Sequence, residues 1–483
     1  MNEKAGAQIS RRAFLQSALI LFLMMMMAGG LTLLLPAGEY QRTIVEGRQV
    51  IDPQSYRQVE RPVYSFWRWF LAPIEVLGGP DQLTLVVIIV FILMVGSGFA
   101  VLDKCGILQA GLGQLIGRFQ NQKYLLLALI SLFFMSLGAF FGIFEEVVPL
   151  VPLMVALAYL LGWDSLVGLG MSILATNIGF SAAITNPFTI GVAQRIAELP
   201  PFSGAAFRAI VFLSMYVIFI VFLLRYARRI ERNPHSSLIY QEDQGFRQRF
   251  QSLEISHLRM TAPRLGVAMA VFGVFLLLIL LVLMAAPFVP ALSDFSLPLV
   301  GLLFLIGSGS AGISSGAGWK TVRSALSEGV GGIAPGIPLI LMAASVKFIV
   351  AQGKVMDTIL YRASQSLGAV SPFEAALWVY GLALLLEFFI ASGSAKALLV
   401  MPILLPLADL LGVTRQVTVT AYCFGDGFSN LAYPTNPVLL ICLGLTVVSY
   451  PRWIRWTAGL WLGIGIVSVV FLAIAVAIGL GPF

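Results

Sequence analysis

Six polar stretches interrupt an otherwise apolar chain: Glu145-Glu146, Thr176-Asn177, Thr185-Asn186-Pro187, Ser392-Gly393-Ser394-Ala395-Lys396, Gly425-Asp426-Gly427-Phe428-Ser429-Asn430 and Pro434-Thr435-Asn436-Pro437. Their residue types suit reversible binding. Asn and Thr coordinate cations through oxygen and orient carboxylates or amines by hydrogen bonds, while Pro and Gly fix breaks in a helix. A carboxylate there binds a cation or exchanges a proton. A carboxylate at membrane depth costs about 2.5–3.5 kcal/mol on insertion scales, which marks Glu145 and Glu146 as the costliest residues to place. The candidate substrate- or ion-binding set is Glu145, Glu146, Thr176, Asn177, Thr185, Asn186, Ser392, Ser394, Lys396, Asp426, Ser429, Asn430, Thr435 and Asn436. Plainer readings stand beside it: a turn that reaches the headgroups for the two glutamates, helix caps for Asp426 and the asparagines. Lys396 can clamp a carboxylate or pair with Glu387, Glu145 or Glu146.

Catalytic sets are missing. Both histidines, His235 and His257, fall in one polar stretch, and Cys105, Cys423 and Cys442 form no CxxC. Neither a Ser/Lys pair nor paired aspartates can be placed on facing helices. The expectation is therefore no enzyme, no cofactor and no resident metal, with Na⁺ at unwound helices, or H⁺, left as the coupling ion.

The elements that must position these residues are membrane helices. Of 483 residues, 59% are hydrophobic and 11% charged, against about 25% charged in soluble domains. The net charge of +7 comes from basic residues beside apolar runs, the mark of inward-facing loops rather than of nucleic-acid binding. Ser10-Arg11-Arg12 before an apolar run resembles a twin-arginine signal, but Ala13–Leu35 is long enough to span ~30 Å of hydrocarbon. The preferred reading is a retained first span, with Lys4, Arg11 and Arg12 inside.

The chain divides into an N-terminal span (1–35), an external loop with an aromatic interfacial stretch (36–80), a first repeat (81–224), a basic cytoplasmic linker (225–264), connecting spans (265–331) and a second repeat (332–483). The loop at 36–66 balances four basic against four acidic residues, whereas the linker holds eight Arg against four acids. Within each repeat a span and an amphipathic segment (105–118; 354–367) precede two short apolar arms. The arms are Tyr124–Gly138 with Val147–Leu161, and Leu377–Ile390 with Leu398–Leu411. Arms of about 15 residues reach only ~22 Å, which predicts re-entrant hairpins. Broken segments at 164–199 and 414–446 follow them. The fold class is thus an all-α polytopic membrane protein of about nine full spans plus two hairpins.

Sliding the chain against itself by 250 residues places Pro152 on Pro402, Gly162 on Gly412 and Thr185-Asn186-Pro187 on Thr435-Asn436-Pro437, with 11 identities over 152–187. Loop charges bring the first unit in from outside and the second from inside, so the repeats are inverted. Inverted repeats with discontinuous helices in corresponding positions point to a secondary transporter with a midplane site. A passive channel is the alternative of another class.

Several stretches carry a family likeness: Pro36-Ala37-Gly38-Glu39-Tyr40, Gly142-Ile143-Phe144-Glu145-Glu146, Ile184-Thr185-Asn186-Pro187-Phe188, Ser392-Gly393-Ser394, Met401-Pro402-Ile403-Leu404-Leu405-Pro406-Leu407 and Gly425-Asp426-Gly427-Phe428-Ser429-Asn430. Through them the whole chain resembles the YfcC-type branch of the C4-dicarboxylate anaerobic carrier group in the ion transporter superfamily, which also includes arginine/ornithine antiporters. The resemblance implies hairpins entering from opposite sides, two unwound helices forming the site, elevator-like movement and a homodimer. Asn436-Pro437 and Lys396 depart from the Ser-Gly ending and the small or amide residue usual there. The leading expectation is an antiporter or ion-coupled symporter in a prokaryotic inner membrane, N-terminus inside, for a small carboxylate-bearing metabolite. Basic amino acids come ahead of C4-dicarboxylates, because Glu145, Glu146 and Asp426 outnumber Lys396. Its partners are a small solute and the lipid bilayer, without nucleic acid.

Overall fold

The computed structural model describes residues 11–45, 48–119, 122–251, 263–286, 289, 292, 295–365 and 370–481. Lys4, Ser10 and His257 lie outside them. The chain opens with α1 (Arg11–Leu34), followed by four short strands, β1 (Gly38–Glu39), β2 (Arg42–Val45), β3 (Arg48–Ile51) and β4 (Arg57–Gln58). β1 pairs with β4 and β2 with β3, both antiparallel, so the segment read as a plain loop is a pair of small ribbons. The aromatic stretch forms α2 (Phe66–Glu75), burying Trp69 and Ala72 and leaving Trp67 exposed.

The first half continues through α3 (Gln82–Lys104), α4 (Ile107–Phe119) and α5 (Lys123–Ser136), which ends in a wide π-helical turn, Leu137–Phe141. After a tip at Gly142 the chain returns through the 3₁₀ turn Glu145–Leu150 and α6 (Val151–Leu160). The first broken helix runs as α7 (Ser165–Leu169), a π-helical turn and α8 (Ala175–Ala182), breaks, and resumes at Pro187–Gly191 into α9 (Val192–Ile196). α10 (Ala205–Arg232) runs past the Leu224 end expected for its span, and α11 (Tyr240–Gln251) follows within the linker.

Two connecting helices, α12 (Pro263–Ala285) and α13 (Ser296–Ser314), lead to α14 (Gly318–Ile333) and α15 (Ile337–Gln352). Lys320 and Arg323 both lie on α14. Val322, Ala325, Gly329 and Ile333 recur along one face of that helix and are buried. That face lies on α3: a Cβ at Gly329 would sit 2.4 Å from the Gly96 carbonyl oxygen. The second half ends with α16 (Met356–Gln365), α17 (Pro372–Glu387), α18 (Gly393–Leu410), α19 (Arg415–Ser429), α20 (Pro437–Gly444) and α21 (Tyr450–Ala477).

Among the described residues ten helical segments are long and apolar enough to cross a membrane, and the chain is an all-α multi-pass membrane protein. The count differs from the nine spans expected because one arm of each hairpin, Lys123–Phe141 and Gly393–Leu410, passes the length test, while the second broken segment, whose longest helix is Arg415–Ser429, does not. The partner arms, Val151–Leu160 and Pro372–Glu387, are shorter.

Local geometry recurs at the 250-residue offset. Gly162 and Gly412 both take left-handed φ, +87° and +71°, where a side chain would be strained. Asp164 accepts a capping bond from Val167 N at 3.0 Å and Thr414 one from Val417 N at 3.2 Å. Beyond each break Asn186 accepts from Phe188 N at 2.9 Å, and Asn436 from Val438 N at 3.0 Å. These caps satisfy amides that a new helix start leaves without partners.

The N-terminal elements dock on the second half. A Cβ at Gly353 would lie 2.4 Å from Thr32 Cγ2, and the Gly38 amide donates to the Lys354 carbonyl at 2.9 Å. Buried Asp357 accepts from Arg42 Nη2 at 2.7 and 2.9 Å and from the Tyr40 amide at 2.9 Å. Lys347 is paired with Asp81 at 2.6 Å.

Candidate functional site

The first break spans Ala183–Asn186. Ala183 takes φ +43°, ending α8 in the left-handed region, and frees carbonyls that must find donors inside the protein. Arg208, fully buried on α10, supplies them. Its Nε donates to the Ala183 carbonyl at 3.0 Å and its Nη2 to that of Ile184 at 2.9 Å, while Nη1 reaches the Ser203 carbonyl at 2.8 Å. A planar guanidinium suits several carbonyls at once, and its charge lies at the negative end of the α8 dipole. Sequence reasoning passed over Arg208; an arginine four residues into an apolar span was the available signal.

The first hairpin tip closes on its own break. Thr185 donates its amide to the Ala139 carbonyl at 3.1 Å and its hydroxyl to that of Phe140 at 3.0 Å. Gly142, at φ +68°, lies so near Asn186 that a Cβ there would be 2.2 Å from Oδ1. The Asn186 amide nitrogen is buried with no hydrogen-bond partner. Glu145 is exposed and borders a small crevice lined by Phe91, Leu297, Pro437 and Val438. Glu146 accepts from Ser296 Oγ at 2.8 Å. Neither glutamate pairs with Lys396 among the described ion pairs, so the grouping of both with Asp426 around Lys396 is not what the fold makes.

The charged centre belongs to the second hairpin. Lys396, buried at the start of α18, hydrogen-bonds Glu387 at the end of α17 and approaches Asp426 on α19 at 2.9 Å. All three are at most 1% exposed. Glu387 was weighed as a partner for Lys396 but not as a site residue. The tip is pinned by Tyr422, whose hydroxyl donates to the Gly393 carbonyl at 2.5 Å. A Cβ at Gly393 would lie 2.7 Å from Thr189 Cγ2 and 2.8 Å from Asp426 Oδ2. The tip therefore touches both broken helices. These helices cross at Gly427, where a Cβ would lie 2.4 Å from the Ser181 Cα.

The remaining candidates divide by their partners. Thr176 and Ser429 return their hydroxyls to the carbonyls of Ser172 and Gly425, bonds internal to their own helices. Asn436 Nδ2 donates to Asn430 Oδ1 at 3.2 Å across the second break. Ser392 caps α18 by accepting from Ala395 N, and Ser394 is half-buried on the next turn. Asn177, fully buried, has neither amide oxygen nor nitrogen hydrogen-bonded, and the hydroxyls of Thr189 and Thr435 are likewise unpaired. Buried polar groups without partners are rare in finished cores. Here they concentrate beside the breaks.

A polar centre enclosed by apolar helices, with two interrupted helices crossing in it, sets the chain among multi-pass membrane proteins of the transporter kind. It belongs to the C4-dicarboxylate anaerobic carrier family, DcuC, whose model matches residues 14–477. It is 30% identical over 480 residues to the Escherichia coli K12 protein named "Putative basic amino acid antiporter YfcC", covering 92% of this chain and 93% of that protein. A Haemophilus influenzae protein named "Uncharacterized protein" is 26% identical over 375 residues, covering 76% and 71%. Two solved transporter structures are similar at 18% identity: Alcanivorax borkumensis YdaH (TM-score 0.41, 97% of this chain and 100% of that one) and Neisseria gonorrhoeae MtrF (TM-score 0.39, 97% and 96%). That likeness is too slight to carry an argument.

Proposed function

We propose that this protein is a secondary active transporter, an antiporter or ion-coupled symporter, for a small carboxylate-bearing metabolite, with basic amino acids as the favoured class. The observation that carries this reading is the buried Glu387–Lys396–Asp426 triad, in which two carboxylates face one ammonium beside unpaired Thr189. An interior acid excess favours a cationic group on the solute or a coupling H⁺ or Na⁺. The unpaired Asn177, Asn186 and Thr435 groups offer donors for a carboxylate. Arg208 is held by carbonyls and is not the carboxylate clamp. The name of the Escherichia coli relative favours the same class.

Opposite orientation of the two hairpins supports alternating access. The base of the first is bonded to α11 of the basic linker through Asp243, whereas at the base of the second Arg415 pairs with Asp409 and with Glu198, which lies beyond the far end of the first broken helix. With the linker cytoplasmic, the hairpins enter from opposite faces of a prokaryotic inner membrane, the N-terminus lies inside, and the working unit is a homodimer.

The test is counterflow in proteoliposomes preloaded with arginine, ornithine, a neutral amino acid or succinate, with and without Na⁺ and a pH gradient. Arginine or ornithine exchange is expected. Succinate exchange alone, dependent on Na⁺ or H⁺, would replace it with the second reading, a dicarboxylate carrier in which Lys396 meets the substrate. Conductance without counterflow would make the protein a channel.

A further inference from the structure

The triad is asymmetric. Glu387 and Lys396 belong to one hairpin and are hydrogen-bonded to each other, so they move together. Asp426 belongs to the crossing helix and meets Lys396 across an ion contact of 2.9 Å. Both Asp426 oxygens, Glu387 Oε1 and the Thr189 hydroxyl are buried without a hydrogen-bond partner. Two carboxylates therefore face a single ammonium, and three of their oxygens accept no hydrogen bond. Such a set suits a small cation, because each of the three is an acceptor on a carboxylate. The corresponding position in the other repeat, 250 residues earlier, is Glu146, so only the second hairpin brings a positive charge to its tip.

We propose that Lys396 is a tethered cation: its ammonium fills the place beside Asp426 that the positive group of a transported solute or a coupling monovalent cation takes, and the two occupy it in turn. This rests on the transport reading for the location of the site. The empty carrier is then charge-compensated without any external ion. Loading requires Lys396 to withdraw toward Glu387, its partner on the same hairpin, while Asp426 accepts the incoming cation. The exchange makes cation entry and the hairpin–helix contact mutually exclusive, which gives the ligand different affinities for two arrangements of the second hairpin.

Removing the tether should create an ordinary cation site. In purified protein melted in choline chloride and in NaCl at equal ionic strength, the unaltered protein, whose own ammonium competes for the place, should show a smaller Na⁺-specific shift than a variant without it. Lys396→Met should melt lower in choline and recover by about 2–4 °C in Na⁺ or ethylammonium, while Lys396→Arg should behave as the unaltered protein. If Lys396→Met does not fold, Lys396→Met/Glu387→Gln, which retains one carboxylate, takes the same test. Absence of Na⁺ and ethylammonium stabilisation in the folded variant overturns the proposal, as does an equal Na⁺ shift in the unaltered protein. Counterflow in the same preparations separates the two readings. Cation-dependent melting without exchange of any tested solute defeats the transport reading alone, and exchange with cation-blind variants defeats the tether alone.

Discussion

A guanidinium in the first turn of α10 meets carbonyls from the first break and from the turn before α10. Leaving such groups unpaired in the interior costs about 1–3 kcal/mol each. Arg208→Met is therefore expected to abolish the folded protein in a detergent melt, and Arg208→Lys, which lacks the planar fork, to recover it only in part. A stable, monodisperse Arg208→Met would refute this account of the break. Glycines matter for the opposite reason, by being absent mass. Cβ atoms at Gly179 and Gly138 would meet the Met135 and Thr176 carbonyl oxygens at 1.8 and 2.1 Å, while one at Gly459 would meet nothing within 4 Å. Gly179→Ala should lower the melting temperature by several degrees, because backbone cannot step aside as a side chain can, whereas Gly459→Ala should leave it within about 1 °C.

At the scale of elements, the linker helix α11 enters the base of the first hairpin. Asp243 accepts from the Tyr159 hydroxyl at 2.5 Å and from the Ser165 amide and hydroxyl at 3.1 Å. Burial and nearby Asp164 push its carboxyl up to about 7, against the opposing bonds from Tyr159 and Ser165. Because the docked carboxyl holds its proton to a higher pH than a solvated one, docking loses stability as pH rises from about 4 toward 7 and is level above that. Hydrogen exchange over 240–251, corrected for intrinsic rates, should rise from pH 5 to 7.5 and then level off. Asp243→Asn should remove the rise. A profile unchanged by that substitution would remove Asp243 as its cause.

The sequence revealed these elements unevenly. Apolar runs, Pro and Gly marked both hairpins and both breaks, since each signal is local in the chain. The small ribbons escaped because strands of two to four residues have too little periodicity to read. Lys396 and Asp426 were found from residue type and position. Their grouping with Glu145 and Glu146 failed, because which buried charges meet depends on how hairpins dock across the long separations between them. Arg208 was visible as a charge in a span, but its partners are backbone atoms, which leave no trace in residue identity.

For the molecule as a whole, the proposed entry of the hairpins from opposite faces requires the loop before α2 and the linker after α10 to face opposite compartments. In a Cys105→Ser background, where Cys423 and Cys442 are buried, Gln54→Cys should react with a membrane-impermeant maleimide in right-side-out vesicles. Asn233→Cys should react only after permeabilisation. Labelling of both from one side would defeat the inverted arrangement.

The docking of α1 and its following ribbons on α15 and α16 also sets an order of assembly. Thr32 and Arg42 meet Gly353 and Asp357 across more than 300 residues. At about 5–20 residues per second, α1 waits about 15–60 s after emerging before its partner exists. This early helix is thus among the last to be seated, and until then its exposed face is available to insertion factors, to lipid or to a neighbouring nascent chain.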